Sequence, residues 1–223
     1  GLTFLTEGII TPGTTFPCHH GFSYRGLHVG CHGHASPLNL VPAVSTSCNG
    51  FFCWGLYYMI GNRRKYKTVQ EAMDTWRDYM VSMGFGYKLG IDLPGEKRGL
   101  IPNSHFYDKA YKGSWNGLTI ISISIGQGEV NLTPLQIANL GATIANRGYY
   151  YIPHVVKEVK GASIDTMYTR RHYTKASHKA YEYIVSGMRS AVLGGTCRAL
   201  ASSDIAICGK TGTAQNPRGA DNS

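Results

Sequence analysis

The chain is 223 residues long, 43% hydrophobic and 16% charged, with a formal net charge of +9. That much apolar side chain excludes a disordered polypeptide and suffices for the core of one large domain or two small ones. The longest apolar run, Phe51 to Ile60, falls well short of the roughly 20 residues a bilayer-spanning helix needs. The basic residues gather partly in 62–67 and 169–175, two separated loops without a shared stacking surface, and this argues against a nucleic-acid partner.

Residues 1–37 hold five of the nine histidines and two of the six cysteines, interspersed with Pro12, Gly13, Pro17, Gly21, Gly26, Gly30 and Gly33. This composition predicts loops and short strands, and a candidate metal-binding segment. From Leu38 to about Gly61 the pattern is helical, with a break near Ser47 to Gly50, where Asn49-Gly50 predicts a turn. Thr68-Val-Gln-Glu71 is a capping-box pattern opening a helix to about Met83, with Val69, Ala72, Met73, Trp76, Met80 and Met83 at helical spacing.

Residues 87–117 are rich in Gly, Pro and Asn and predict a long irregular connection. Leu118 to Ile125 is β-branched and apolar and predicts a strand. Thr133-Pro134 starts a helix to about Asn146 with Leu135, Ala138, Ala142 and Ala145 on one face. Tyr149 to Val159 tends toward strand, 162–173 toward a hairpin or loop, and Ser177 to Leu193 toward a helix closed by Gly194-Gly195. The chain thus divides into a loop-rich part (1–37), a mainly helical part (38–200) and a last strand within 201–223. Helices mixed with few, non-alternating strands give an α+β fold class.

The last strand carries chemistry. Ile205-Ala-Ile207 leads into Gly209-Lys-Thr-Gly-Thr213, an apolar start followed by a polar half without bulk. Gly212 lets another backbone approach, Lys210 supplies fixed positive charge, and the hydroxyls of Thr211 and Thr213 suit a carboxylate. Far upstream stands Ser47-Cys48-Asn49. Ser-x-Asn and Lys-Thr-Gly are two of the three signatures of the acyl-serine transferases.

Four further segments occur in the same order as in one family: residues 2–11 (LTFLTEGIIT), His34 to Leu40 (HASPLNL), Gly90 to Gly95 (GIDLPG), and Ser124 to Glu129 (SIGQGE) leading to Thr133-Pro-Leu-Gln136. Over most of its length the chain resembles the class B penicillin-binding proteins, and among them the elongation-type transpeptidases. The resemblance implies a helical subdomain on an antiparallel sheet, as in serine β-lactamases, truncated here at both ends. It implies peptidoglycan D,D-transpeptidase activity in a parent protein, an acyl donor ending in D-Ala-D-Ala, and β-lactam antibiotics as mimics of that donor. It further implies a membrane glycosyltransferase partner of the elongation machinery, and an inner-membrane anchor, outside this chain, that sets the domain on the periplasmic side.

By the same resemblance, Ser47 relays a proton to the leaving nitrogen and Asn49 bonds the substrate amide and the base lysine. Lys210 holds the Ser47 hydroxyl, Thr211 and Thr213 take the carboxylate, and the Thr213 N–H is an oxyanion donor. The family's first signature, Ser-x-x-Lys, is absent: no serine in the 223 residues has a lysine three positions later. This fragment is therefore expected to be inactive by itself. The alternatives are a serine β-lactamase, against which no Glu-centred deacylation loop stands out, and a non-catalytic binding fragment.

Cys18, Cys31, His34 and Cys48 form a Cys-x₁₂-Cys-x₂-His-x₁₃-Cys set, three thiolates and an imidazole of the kind that closes a tetrahedral structural zinc site. His32 competes with His34, and a Cys18–Cys31 disulfide competes with the site. Some elongation-type relatives carry zinc beside the Ser-x-Asn motif. A metal tether at Cys48 would fix the Ser47-Asn49 turn.

Overall fold

The computed structural model describes residues 1–213. In chain order its elements are α1 (Leu2–Thr6), β1 (Gly21–Tyr24), β2 (Leu27–Gly30), α2 (Leu40–Ser45), α3 (Asn49–Gly61), α4 (Val69–Ser82), α5 (Ser104–Tyr111), α6 (Pro134–Ala145), β3 (Tyr149–Tyr150), α7 (Thr166–Thr169), β4 (His172–Tyr173) and α8 (His178–Leu193). Helices with two small antiparallel sheets, β1-β2 and β3-β4, make this an α+β fold. The chain divides into two units. One comprises 1–59, 117–128 and 182–223, and the other 60–116 and 129–181.

The first unit is built around α3. Its Phe51, Cys53, Leu56 and Met59 are wholly buried, and Phe4, Leu40, Ala43 and Val44 from α1 and α2 are buried with them. Glycines set the closest approaches. A Cβ on Gly55 would strike the Phe4 ring, and one on Gly187 of α8 would lie 2.7 Å from Val44 Cβ. The β1-β2 hairpin pairs Gly21 with Gly30 and Phe22 with Val29, and Phe22 packs edge-on against Trp54 of α3, centroids 4.6 Å apart.

In the second unit Thr68 caps α4 by accepting from the Glu71 N–H (3.1 Å), but Glu71 reaches back to the Lys67 N–H (2.6 Å) instead of the cap's own. A full capping box occurs at α6, where Thr133 and Gln136 bond reciprocally. The apolar face expected on α6 is not the buried one. Gln136, Asn139 and Thr143 are buried, because Gln136 Nε2 donates to the Tyr87 carbonyl (2.6 Å) and Asn139 Nδ2 to the Met83 carbonyl (3.3 Å). These amides satisfy loop carbonyls that an apolar face would leave unpaired.

Several expectations fail for identifiable reasons. Leu118 to Ile125 is not a strand: it forms turns and a 3₁₀ helix over Ile121–Ile125, closed by Gly126 at φ 75°. Residues 1–37 contain the helix α1, and the irregular stretch 87–117 contains α5, opened by Asn103, whose side chain accepts from the Phe106 N–H. The strand from Tyr149 stops after two residues. Pro153 has no N–H to continue a ladder, and the N–H groups of Val155 and Val156 donate to the Asp92 carboxylate instead. Within 162–173, α7 is capped by Asp165 ahead of β4.

The strand expected over Ile205–Gln215 does not form over Ile205–Thr213, and Ala214 and Gln215 lie outside the described residues. A strand needs a neighbour to complete its ladder. Here the Gly209 N–H donates to the Met188 carbonyl of α8 (3.1 Å), and Arg189 Nη1 donates to the Ile207 carbonyl (2.9 Å). Ile207 packs on Val192 and Cys197. Among the described residues, side-chain packing on a helix has replaced sheet pairing.

Candidate active site and metal centre

Ser47 owes its position to the way α2 ends. The Cys48 N–H donates to the Ala43 carbonyl (2.9 Å) and the Ser47 N–H to the Val44 carbonyl (3.2 Å), the paired 6→1 and 5→2 bonds of a Schellman ending. That motif requires a left-handed residue after the cap, and Ser47 takes it at φ 56°. The break is therefore at Thr46 to Cys48, two residues before the expected turn, and Asn49-Gly50 forms the first turn of α3. A serine where glycine would be free of strain places a hydroxyl at the one point where the chain reverses between two helices.

Lys210 reaches that hydroxyl. Its Nζ donates to Ser47 Oγ at 2.6 Å and to the Thr211 carbonyl at 2.9 Å. Partial withdrawal from water lowers the lysine's pKa, while nearby Cys197 pushes it the other way. Asn49 is anchored at both ends, its Nδ2 donating to the Gly30 carbonyl (2.9 Å) and its N–H to Cys31 Sγ (3.3 Å). Thr211 donates to the Thr196 hydroxyl (3.1 Å). Gly212 and Thr213 are exposed, and a Cβ on Gly212 would meet nothing within 4 Å.

The sequence reading missed the turn Gly194–Cys197, taking the two glycines only as a helix stop. The Thr196 N–H donates to the Ser45 carbonyl (3.2 Å), while its hydroxyl accepts from Thr211. A Cβ on Gly195 would strike that same Ser45 carbonyl. The turn thus braces the end of α2 and the Lys210 segment together.

The four expected metal ligands also converge. Ligand atoms of Cys18, Cys31, His34 and Cys48 all lie within 4.8 Å of one another, and His32 is outside this set. A tetrahedron with metal–sulfur arms of about 2.3 Å has edges of roughly 3.8 Å, so the cluster is close to the size that surrounds one ion. All six cysteines are free thiols, and Cys18 and Cys31 form no disulfide. His34 Nδ1 donates to the Ala35 carbonyl (2.7 Å), which leaves the Nε2 lone pair facing Cys31 Sγ at 3.4 Å.

Cys48 Sγ accepts from the Phe51 N–H and Cys31 Sγ from the Asn49 N–H, both at 3.3 Å. These are orphan donors at the positive end of α3. Burial nevertheless raises the Cys31 pKa and takes that of Cys48 far above the thiol range, with neighbouring thiols adding to both. A divalent cation at the centre would reverse that balance and hold the sulfurs as thiolates.

The family model described as "Penicillin binding protein transpeptidase domain" matches residues 2–222. The chain belongs to the penicillin-binding protein transpeptidase domain family. Peptidoglycan D,D-transpeptidase MrdA of Acinetobacter baumannii is 33% identical over 181 residues, covering 80% of this chain and 25% of the relative. MrdA of Haemophilus influenzae is 30% identical over 226 residues, covering 94% and 32%. The chain therefore spans between a quarter and a third of these relatives. The transpeptidase fold is also that of Pseudomonas aeruginosa PBP2 in complex with WCK 5153 (TM-score 0.75, 25% identity, 96% of this chain and 48% of that one). A structure titled "Structural coordination of polymerization and crosslinking by a peptidoglycan synthase complex" gives 0.76 at 27% identity, covering 99% and 37%. By name, the curated relatives are peptidoglycan D,D-transpeptidases, and the first of these solved structures is a PBP2.

Proposed function

We propose that these residues form the Ser-x-Asn and Lys-Thr-Gly side of a peptidoglycan D,D-transpeptidase. The reading rests on one observation, the 2.6 Å donation from Lys210 Nζ to Ser47 Oγ, which joins the two signatures across 163 residues. In the reaction a nucleophilic serine outside these 223 residues attacks the penultimate carbonyl of a stem peptide ending in D-Ala-D-Ala. As the tetrahedral intermediate collapses, the C–N bond to the last D-Ala breaks, and the leaving nitrogen takes its proton through the Ser47 hydroxyl. Lys210 stabilises the oxygen that gives up that proton. Asn49 bonds the donor's amide, Thr211 and Thr213 take its carboxylate, Gly212 leaves room for its backbone, and the Thr213 N–H faces the developing oxyanion. β-Lactams enter as mimics of this donor.

The neighbour titled for polymerization and crosslinking by a peptidoglycan synthase complex supports a glycosyltransferase partner, and on the family resemblance this reading includes a periplasmic location beside the inner membrane. No described helix is long and apolar enough to cross a membrane. We also propose that Cys18, Cys31, His34 and Cys48 hold a structural zinc ion. Zinc would supply no acyl-transfer chemistry; it would tie Cys48, between Ser47 and Asn49, to the β1-β2 hairpin.

The test is acylation by labelled penicillin, read by mass spectrometry. A polypeptide carrying this sequence together with a Ser-x-x-Lys serine should form a stoichiometric, slowly hydrolysed adduct on that serine, and these 223 residues alone should form none. An adduct on any serine here would overturn the assignment, and rapid turnover would favour a β-lactamase.

A further inference from the structure

Two of the four candidate ligands lie deep, Cys18 and Cys48 being only 5% and 1% exposed, while Cys31 and His34 are half-buried. An ion needs a way in. An open cavity of about 210 Å³ is lined by Cys18, His19, His20, His32 and His34, together with Gly33 and Ser36. Cys18 and His34 are members of the candidate centre. The side chains of His19, His20 and His32 are not, and all three residues are exposed. Among the described residues no hydrogen bond or ion pair engages these three rings, whereas His28 Nδ1 pairs with Ser23 Oγ at 2.7 Å away from the cavity.

Their backbone places them at the ligands. His20 adopts φ 56°, and its carbonyl accepts from the Cys31 N–H (2.8 Å), which fixes it against a ligand residue. A Cβ on Gly33, between His32 and His34, would lie 3.9 Å from His20 Cε1. The His32 ring stands edge-on to that of His34, centroids 5.3 Å apart. One solvated histidine in a loop would call for no explanation. Three imidazoles without a hydrogen bond or ion pair among the described residues, on the wall of a cavity that reaches two metal ligands, form a graded path from water to thiolate.

From this arrangement we infer that His19, His20 and His32 form an entry site that takes a divalent transition-metal ion such as Zn²⁺ from solvent and passes it to Cys18 and His34. The inference rests on the metal centre proposed above. Neutral imidazole binds such cations while the rest of the coordination shell stays water, so capture is weak and exchange fast. In transfer the ion sheds water and then imidazole as sulfur replaces them, and the thiol protons pass to solvent.

The experiment follows zinc uptake by the metal-free 223-residue chain in stopped flow against a chromophoric chelator, with stoichiometry from native mass spectrometry. The parent should bind one zinc tightly and a second weakly at excess metal. A variant combining His19→Ala, His20→Ala and His32→Ala should keep the tight ion, lose the weak one and load at least about tenfold more slowly, while His28→Ala should load as the parent does. Because the three residues are exposed, circular dichroism should show an unchanged fold. Loading at the parental rate in the combined variant, or loss of its tight ion, would overturn the inference alone. A parent chain that holds no zinc tightly would overturn the metal centre and the entry site together.

Discussion

The ammonium of Lys210 donates to the hydroxyl of Ser47 at 2.6 Å, and Ser47 is the residue that reverses the chain between α2 and α3. The contact matters only if it works in the transition state. In a polypeptide supplying the nucleophilic serine, Ser47→Ala and Lys210→Ala should each cut the second-order acylation rate by about 10²–10⁴, the usual range for a proton-transfer group. Neither should move the melting temperature by more than about 2 °C, since an exposed polar pair contributes little to stability. Unchanged acylation in both variants would remove the pair from the mechanism.

Ser47→Gly separates backbone from hydroxyl. The left-handed conformation at φ 56° costs an L-residue about 1 kcal/mol that glycine is spared. The variant should therefore unfold at an equal or higher denaturant midpoint while acylating as poorly as Ser47→Ala. A clear loss of stability would mean that the Ser47 side chain, and not the Schellman ending, holds the turn.

Two glycines should respond differently. Gly195→Ala sets a methyl against the Ser45 carbonyl, and such overpacking against backbone costs roughly 1–3 kcal/mol. It should also loosen the end of α2 and slow acylation. Gly212→Ala faces open space and should leave stability nearly unchanged. Urea titrations of both variants decide this.

Burial raises the pKa of Cys53 from 9.0 to about 11. A pKa raised in the folded state means that its contribution is fully present below pH 9 and is lost as the pH climbs toward 11. A rise of this size corresponds to roughly 3 kcal/mol. Comparing wild type with Cys53→Ala, stability should fall more steeply for the wild type between pH 9 and 11. Parallel curves would show that the thiol ionises as freely in the folded chain as in the unfolded one.

Removing the proposed zinc should be equally legible. A site filled at about a thousand times its Kd stabilises by roughly 4 kcal/mol, so chelation should lower the melting temperature and Cys48→Ser should mimic it. Raised thiol pKa values at Cys31 and Cys48 mean that zinc competes with protons, so affinity should weaken as pH falls. A melting temperature indifferent to chelator would remove the structural role.

Whatever depended on neighbours along the chain could be read from the sequence. The caps at Thr68 and Thr133 and the bounds of α4, α6 and α8 follow from side chains bonding backbone a few residues away, and the break near Ser47 from equally local backbone bonds. That Cys18, Cys31 and Cys48 could join a histidine as metal ligands was suggested by their residue types together with the family resemblance, while His32 and a Cys18–Cys31 disulfide stayed open as rivals. What depended on distant partners was not. Leu118 to Ile125 has the local marks of a strand, yet it forms turns and a 3₁₀ helix that bury Ile120, Ile121 and Ile123, with Ser124 Oγ donating to Cys53 Sγ at 3.3 Å. Ile205 to Thr213 likewise has strand propensity without a ladder and rests on α8. The choice of His34 over His32, and the brace of Thr196 between Ser45 and Thr211, were decided only when remote segments met. Two positions along a loop decide whether a ring meets the thiols, and a hydroxyl's partner 15 positions away leaves no periodicity to read.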